Sequence, residues 1–214
     1  LSIPYNPLSK LNLARSIEGE ILGRSLQPLD NLETFEGAGI YALYYSGKLP
    51  IYQPLTLTLT TENPRPIYVG KAIPKGGRTG GLREGDIKTR ALVSRLRKHA
   101  RSIDLSKNLQ IEDFLVRYLI VDDVWIPLGE NMLIETYKPV WNKVIAGFGN
   151  NPLGKGRENQ KVSLWDILHP GRISDVKENQ QVASQADLAD RVKSYFAGEA
   201  VPETEERDEN ADEE

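Results

Sequence analysis

The sequence predicts an α+β fold, a small central antiparallel β-sheet flanked by helices, and three observations carry that prediction. Two glycine-marked, β-rich segments, GIYALYYSG from Gly39 and PIYVGKA from Pro66, are separated by TENPRP, whose prolines do not fit inside a central strand. They are expected to pair antiparallel. After them, TRALVSRLRKHARSI spaces Leu92, Leu96, Ala100 and Ile103 along one helix face. Then DFLVRYLIVDD reads as a mostly buried strand, and IPLGENMLIETYKP as a helix stopped at Pro139.

The outer elements follow by the same rules. LSKLNLARSIEGEILGRSL places Leu11, Leu13, Ile17, Ile21 and Leu22 near one face of an N-terminal helix that Gly19 and Gly23 weaken. SQADLADRVKSYFAGE reads as a C-terminal amphipathic helix with Ser184 as its N-cap. Between Lys71 and the Arg-rich helix, IPKGGRTGGLREGDIKTRA forms an inserted, glycine-rich loop. A chain of 214 residues with 39% apolar content suits one main domain over residues 1–201 and a motif core over 39–142. Residues 202–214 form an acidic tail expected to be disordered.

Composition narrows the function. There is no cysteine, which excludes disulfides and thiolate-bound zinc. No apolar run approaches the roughly 20 residues of a membrane span, and LSIPYNPLSK lacks the basic-then-apolar form of a signal peptide, so a cytoplasmic protein is expected. The net charge of −3 conceals a basic body, because residues 1–201 hold 26 Lys and Arg against 22 Asp and Glu. From Arg65 to Lys107 there are twelve Lys or Arg and three acids. Such a stretch suits a polyanion, since each phosphate it neutralises releases a condensed counterion; a solvated helix face is the plainer alternative. GNNPLGKG from Gly149 has the outline of a phosphate loop, but Gly156 stands where Ser or Thr is needed, and no nucleotide cofactor is expected.

Candidate chemistry is sparse enough to enumerate. Arg95 and His99 lie four residues apart, so they share a helix face beside the apolar stripe. Glu130 opens the later helix, where a carboxylate is either a favourable first-turn charge or a metal ligand. His169 in DILHPG reads as a structural turn residue.

Taken in order, Gly39-Ile40-Tyr41, Ile67-Tyr68-Val69-Gly70-Lys71, Arg95-Leu96-Arg97-Lys98-His99, Glu130-Asn131-Met132-Leu133-Ile134 and Lys138-Pro139-Val140-Trp141-Asn142 resemble the motifs of the GIY-YIG nuclease superfamily. The long insertion after Lys71 is unlike its excision-repair and homing-endonuclease branches, and the chain resembles the compact type II restriction endonucleases instead. The resemblance implies a catalytic set of Tyr41, Tyr68, Arg95, His99 and Glu130, supported by Lys71 and Asn142.

The side chains suit those roles. Glu130 would hold one Mg²⁺ (or Mn²⁺), since hard cations take oxygen ligands, and Arg95 would clamp the scissile phosphate. Tyr41 is the candidate general base or water-positioner. An unperturbed phenol of pKa about 10 is only about one part in a thousand ionised at neutral pH, so Lys71 and Arg95 would favour phenolate and a neutral His99 would accept its proton. Tyr68 would donate to the phosphate or the water, and Asn142 would anchor backbone. Lys75, Arg78, Arg83, Lys88, Arg90, Lys98, Lys155 and Arg157 are the candidate DNA contacts, and guanine is the base most often read by arginine.

The implied partner is double-stranded DNA carrying a short palindrome. Its twofold symmetry calls for a homodimer, with one strand cut per site. A repair or homing-type nuclease, a covalent phosphotyrosine strand-transfer enzyme and a non-catalytic nucleic-acid-binding module are the rivals. The acidic tail is read as solubilising. Deleting residues 203–214 is expected to leave DNA binding at low salt unchanged in a filter or anisotropy assay; tighter binding would show that the tail competes with DNA.

Overall fold

Every residue of the GIYALYY segment is buried in the computed structural model, which describes residues 6, 8–74, 88–150, 161–173 and 181–204. This segment is strand β2 (Gly39–Tyr45), and its burial follows from its place in the sheet. It pairs antiparallel with β3 (Tyr68–Ala72) on one side and with β4 (Phe114–Ile120) on the other. A two-residue strand, β1 (Gln27–Pro28), extends the sheet beyond β4, giving the order β1-β4-β2-β3. Pro28 sits on an edge, where its missing N–H does no harm.

Side chains alternate along a strand, so β2 feeds two cores. Tyr41, Leu43 and Tyr45 join Leu92, Leu96 and Ile103 of α3 (Ala91–Asp104), together with side chains of α2 (Gln53–Thr56), α5 (Val140–Lys143), α6 (Leu164–Leu168) and α7 (Gln185–Phe196). Ile40, Ala42 and Tyr44 meet Ile21 of α1 (Lys10–Leu22) and Ile126, Leu133 and Ile134 of α4 (Ile126–Tyr137). Helices therefore cover both faces of an antiparallel sheet, the α+β architecture expected from the sequence.

Several local expectations are met and some are corrected. Ser184 caps α7 in a full capping box with Asp187. The Lys138-Pro139 pair stops α4, with Lys138 in the left-handed region at φ 43°. Strand β4 is only half buried: Leu115, Arg117 and Tyr118 are partly exposed, because β4 runs beside the short edge strand β1. In α1 the inward residues are Ala14 and Ile21, while Leu11 is exposed. Glu130 lies in the second turn of α4, since the helix starts at Ile126 with a proline at its head; it is therefore not a first-turn charge.

A buried polar chain pins α6 to the main core. The Trp141 indole N–H donates to the Tyr52 hydroxyl over 2.9 Å, and Tyr52 lies 2.7 Å from His169 Nε2. Asn108 fixes the direction of that bond. Its amide N–H donates to the Leu168 carbonyl, so its Oδ1 accepts from His169 Nδ1–H over 2.9 Å, leaving Nε2 to accept from Tyr52. His169 is thus a fully buried core imidazole, and burial lowers its pKa to about 3.

That shift makes stability depend on pH. The unfolded chain takes up a proton at His169 near pH 6.5 while the folded chain does not, so the contribution is complete above that value and is lost as pH falls toward 3. Urea unfolding at pH 7 and pH 5 should show His169 costing about 2 kcal/mol of stability over that interval. His169→Gln should show a correspondingly smaller fall, and an equal fall in both proteins would place the titration elsewhere.

Candidate active site

The β2–β3 register sets the site. Tyr41 lies opposite Gly70, and a Cβ at Gly70 would stand 2.6 Å from Tyr41 Cζ and closer still to the hydroxyl. No side chain fits there, so the glycine is required by the ring that crosses it. The hydroxyl then reaches α3, where it lies 2.6 Å from His99 Nε2 in a buried contact. Tyr68, two residues before Gly70 and so on the same face, brings its ring to 5.4 Å from His99 and 6.2 Å from Tyr41.

Burial and charge act on His99 in the same direction. Desolvation lowers its pKa well below 6.5, and Arg95, Arg172 and Lys98 oppose a second positive charge. The imidazole is neutral, so one of its ring nitrogens can accept a hydrogen bond, and Nε2 is the nitrogen that faces the Tyr41 hydroxyl. Phe148 stacks on the His99 ring, centroids 4.5 Å apart and planes 17° apart. Arg95, one helical turn from His99 and itself buried, donates from Nη2 to the Gly149 carbonyl over 3.1 Å.

Lys71 and Glu130 meet from β3 and α4. Lys71 pairs in register with Ile40, on the face that α4 covers, and its ammonium lies 2.6 Å from Glu130 Oε2. Gly129 allows α4 this close, since a Cβ there would come within 2.9 Å of Ile17 and of Ile40. Asn142 closes the structure behind β3: its Oδ1 accepts from Val69 N–H and its Nδ2 donates to Val69 C=O, both over 2.8 Å. It thereby satisfies both backbone groups of one residue between Tyr68 and Gly70.

The structure thus brings Tyr41, Tyr68, Arg95 and His99 together on the α3 face and pairs Lys71 with Glu130. Of the candidate DNA contacts, Lys88 and Arg90 are exposed before α3, and Lys98 is half-buried beside His99. Lys75, Arg78, Arg83, Lys155 and Arg157 lie outside the described residues. Sequence reasoning missed Phe148, Asp166 and Arg172. Only the Gly-Phe-Gly run at 147–149, an aromatic flanked by two glycines, marked any of them in the sequence.

A tyrosine crossing a glycine on an edge strand, an Arg and a His one turn apart on the next helix, and a carboxylate on a later one define a GIY-YIG nuclease domain. The chain matches the family model described as the Eco29kI GIY-YIG domain over residues 33–196, well over half its length, and belongs to that type II restriction endonuclease GIY-YIG family. It is a DNA endonuclease domain. No curated protein matches the chain.

Gly70→Ala should force the Tyr41 ring away from His99 and lower stability by about 1–3 kcal/mol, the cost of overpacking a filled core. Urea unfolding checks this. A variant as stable as the parent would show that the ring moves aside freely.

Proposed function

We propose that this domain is a site-specific endonuclease that hydrolyses phosphodiester bonds in a short, guanine-containing palindrome, working as a homodimer with one divalent metal ion per site. The observation that carries the reading is the 2.6 Å contact of the Tyr41 hydroxyl with a buried, neutral His99, set beside a buried arginine in a restriction-endonuclease family. The reading treats residues 1–201 as one nuclease domain followed by an acidic tail.

The proposed chemistry is hydrolysis by an in-line water. In this reading the water oxygen bonds to phosphorus as the bond to the leaving oxygen breaks, and Tyr41 takes the water's proton while passing its own hydroxyl proton to His99 Nε2, 2.6 Å away. Burial first, and then the field of Arg95, Arg172 and Lys98, makes His99 a weak base at rest. A bound phosphate beside Arg95 would offset that field and raise the basicity of the imidazole when substrate is in place. Arg95 supplies a permanent charge for the non-bridging oxygens, held by Gly149, and Tyr68 donates a hydrogen bond to the same group.

Glu130 fits a hard divalent cation. Its carboxylate is nearly buried, is built of oxygen donors, and already carries the Lys71 ammonium on Oε2. Among the described residues no group of three or more His, Cys, Asp or Glu is arranged to hold a metal. One carboxylate completed by water and substrate oxygens is the habit of Mg²⁺ and, by the same oxygen preference, of Mn²⁺. When bound, such an ion supplies charge stabilisation for the phosphate and the leaving oxygen. Lys71 and Glu130 are the residues that would adjust to admit it.

Two protomers related by a twofold would present two such sites to the two strands of a palindrome. Lys88, Arg90 and Lys98 are assigned to the DNA face in this reading, with Lys75, Arg78, Arg83, Lys155 and Arg157 on the flanking loops. Incubation of plasmid DNA with Mg²⁺ should give fragments with one fixed end sequence, abolished by EDTA. Tyr41→Phe, which keeps the ring, should cut at least about 10²-fold more slowly while binding DNA normally. Random nicking would sink the site-specific reading, and a protein–DNA adduct would replace hydrolysis with tyrosine attack.

A further inference from the structure

The turn at Gly147–Asn150 lies between two guanidinium groups. Arg172, which follows α6, uses all five of its N–H donors. Nε and Nη2 donate to the two oxygens of Asp166, each over 2.8 Å. The other three N–H groups go to successive stretches of one backbone: Nη2 to the Gly147 carbonyl over 3.0 Å, and Nη1 to those of Phe148 and Asn150 over 2.9 and 3.0 Å. The carbonyl left out, that of Gly149, accepts from Arg95 over 3.1 Å. Four consecutive carbonyls are thus divided between a buried arginine behind the turn and the phosphate-clamp arginine in front of it.

The same turn carries the Phe148 ring that stacks on His99. Its shape is not one the chain takes by default, for Gly147 has φ +110°, a conformation open to glycine and strained for other residues. Something must hold it, and the saturated fork of Arg172 does. Asp166 is fixed in turn by the α6 cap, where Ser163 donates from Oγ to Asp166 Oδ2 over 2.7 Å and accepts from Asp166 N–H. The Arg172 guanidinium also lies 4.8 Å from the centre of the Trp165 ring. With the Asp166 carboxylate bound in bidentate fashion, Arg172 has its charge matched internally.

We propose that Arg172, anchored by Asp166, is a positioning residue of the active site: it sets the Gly147–Asn150 turn and through it holds the Arg95 guanidinium and the His99 ring in working orientation. The inference rests on the nuclease reading only for the roles of Arg95 and His99. A lysine at 172 keeps the charge but not the planar fork, and Asn at 166 keeps the shape but not the charge. Both should therefore disturb the turn without emptying the core.

The chain has two histidines, which makes the test direct. In histidine-labelled protein, the ring protons of His99 should be shifted upfield by the stacked Phe148, and His169 serves as the internal reference, assigned with His169→Gln. Arg172→Lys and Asp166→Asn should both move the His99 signals toward ordinary positions and leave those of His169 in place. Single-turnover cleavage of plasmid DNA by these variants should slow by on the order of 10²-fold, the usual cost of a misplaced catalytic group, with DNA affinity little changed. Movement of neither histidine, or equal movement of both, overturns the proposal. A parent protein that cuts no plasmid overturns the nuclease reading instead, and the imidazole signals still decide whether Arg172 sets the turn.

Discussion

The contact between the Tyr41 ring and the backbone of Gly70 organises the molecule around it. A ring on β2 can lie flat across β3 only if the facing residue has no side chain, and only if the two strands hold one register. A slip of one residue would either turn Tyr41 toward α4 or put Lys71 into the aromatic core. Asn142 guards against that slip from behind, by taking up the N–H and C=O of Val69. The position of the hydroxyl follows, and with it the choice of α3 as the element that supplies its partner.

Electrostatics then separates the two halves of the site. On the α3 face, burial and three cations keep an imidazole neutral, so the tyrosine meets an uncharged ring. On the α4 face the charges are opposite and paired, ammonium against carboxylate. A neutral tyrosine–histidine contact and an ion pair require different surroundings, and the edge strand β3 contributes Tyr68 beside the one and Lys71 to the other.

Much of this was legible in the sequence because it was written in local rules. The glycine-marked, β-rich run around Tyr41, helical spacing from Leu92 to Ile103 and the Lys138-Pro139 stop each need only neighbours along the chain. The ordered motifs then named Tyr41, Tyr68, Arg95, His99 and Glu130 as a set. What stayed hidden depends on residues that meet only after folding. Arg172 and Asp166 are six apart with no distinctive spacing, and their importance lies in carbonyls more than twenty residues upstream. The two-residue strand β1 is too short for any periodicity to show. The DILHPG run marks His169 as a structural turn residue, but its burial is decided by Tyr52 and Asn108, contributed by distant segments.

The hydrogen bonds that join the elements carrying Tyr41, Lys71, Arg95 and Asn142 to their partners link distant points of the chain. Tyr41 and His99 are 58 residues apart, Lys71 and Glu130 are 59, Arg95 and Gly149 are 54, and Val69 and Asn142 are 73. Pairings of such span pay their loop-closure entropy before they return any stabilisation, so they form late and together. The consequence is kinetic. A partly unfolded chain that keeps only local helices lacks every one of these long-span contacts, so this cluster is assembled only with the completed fold.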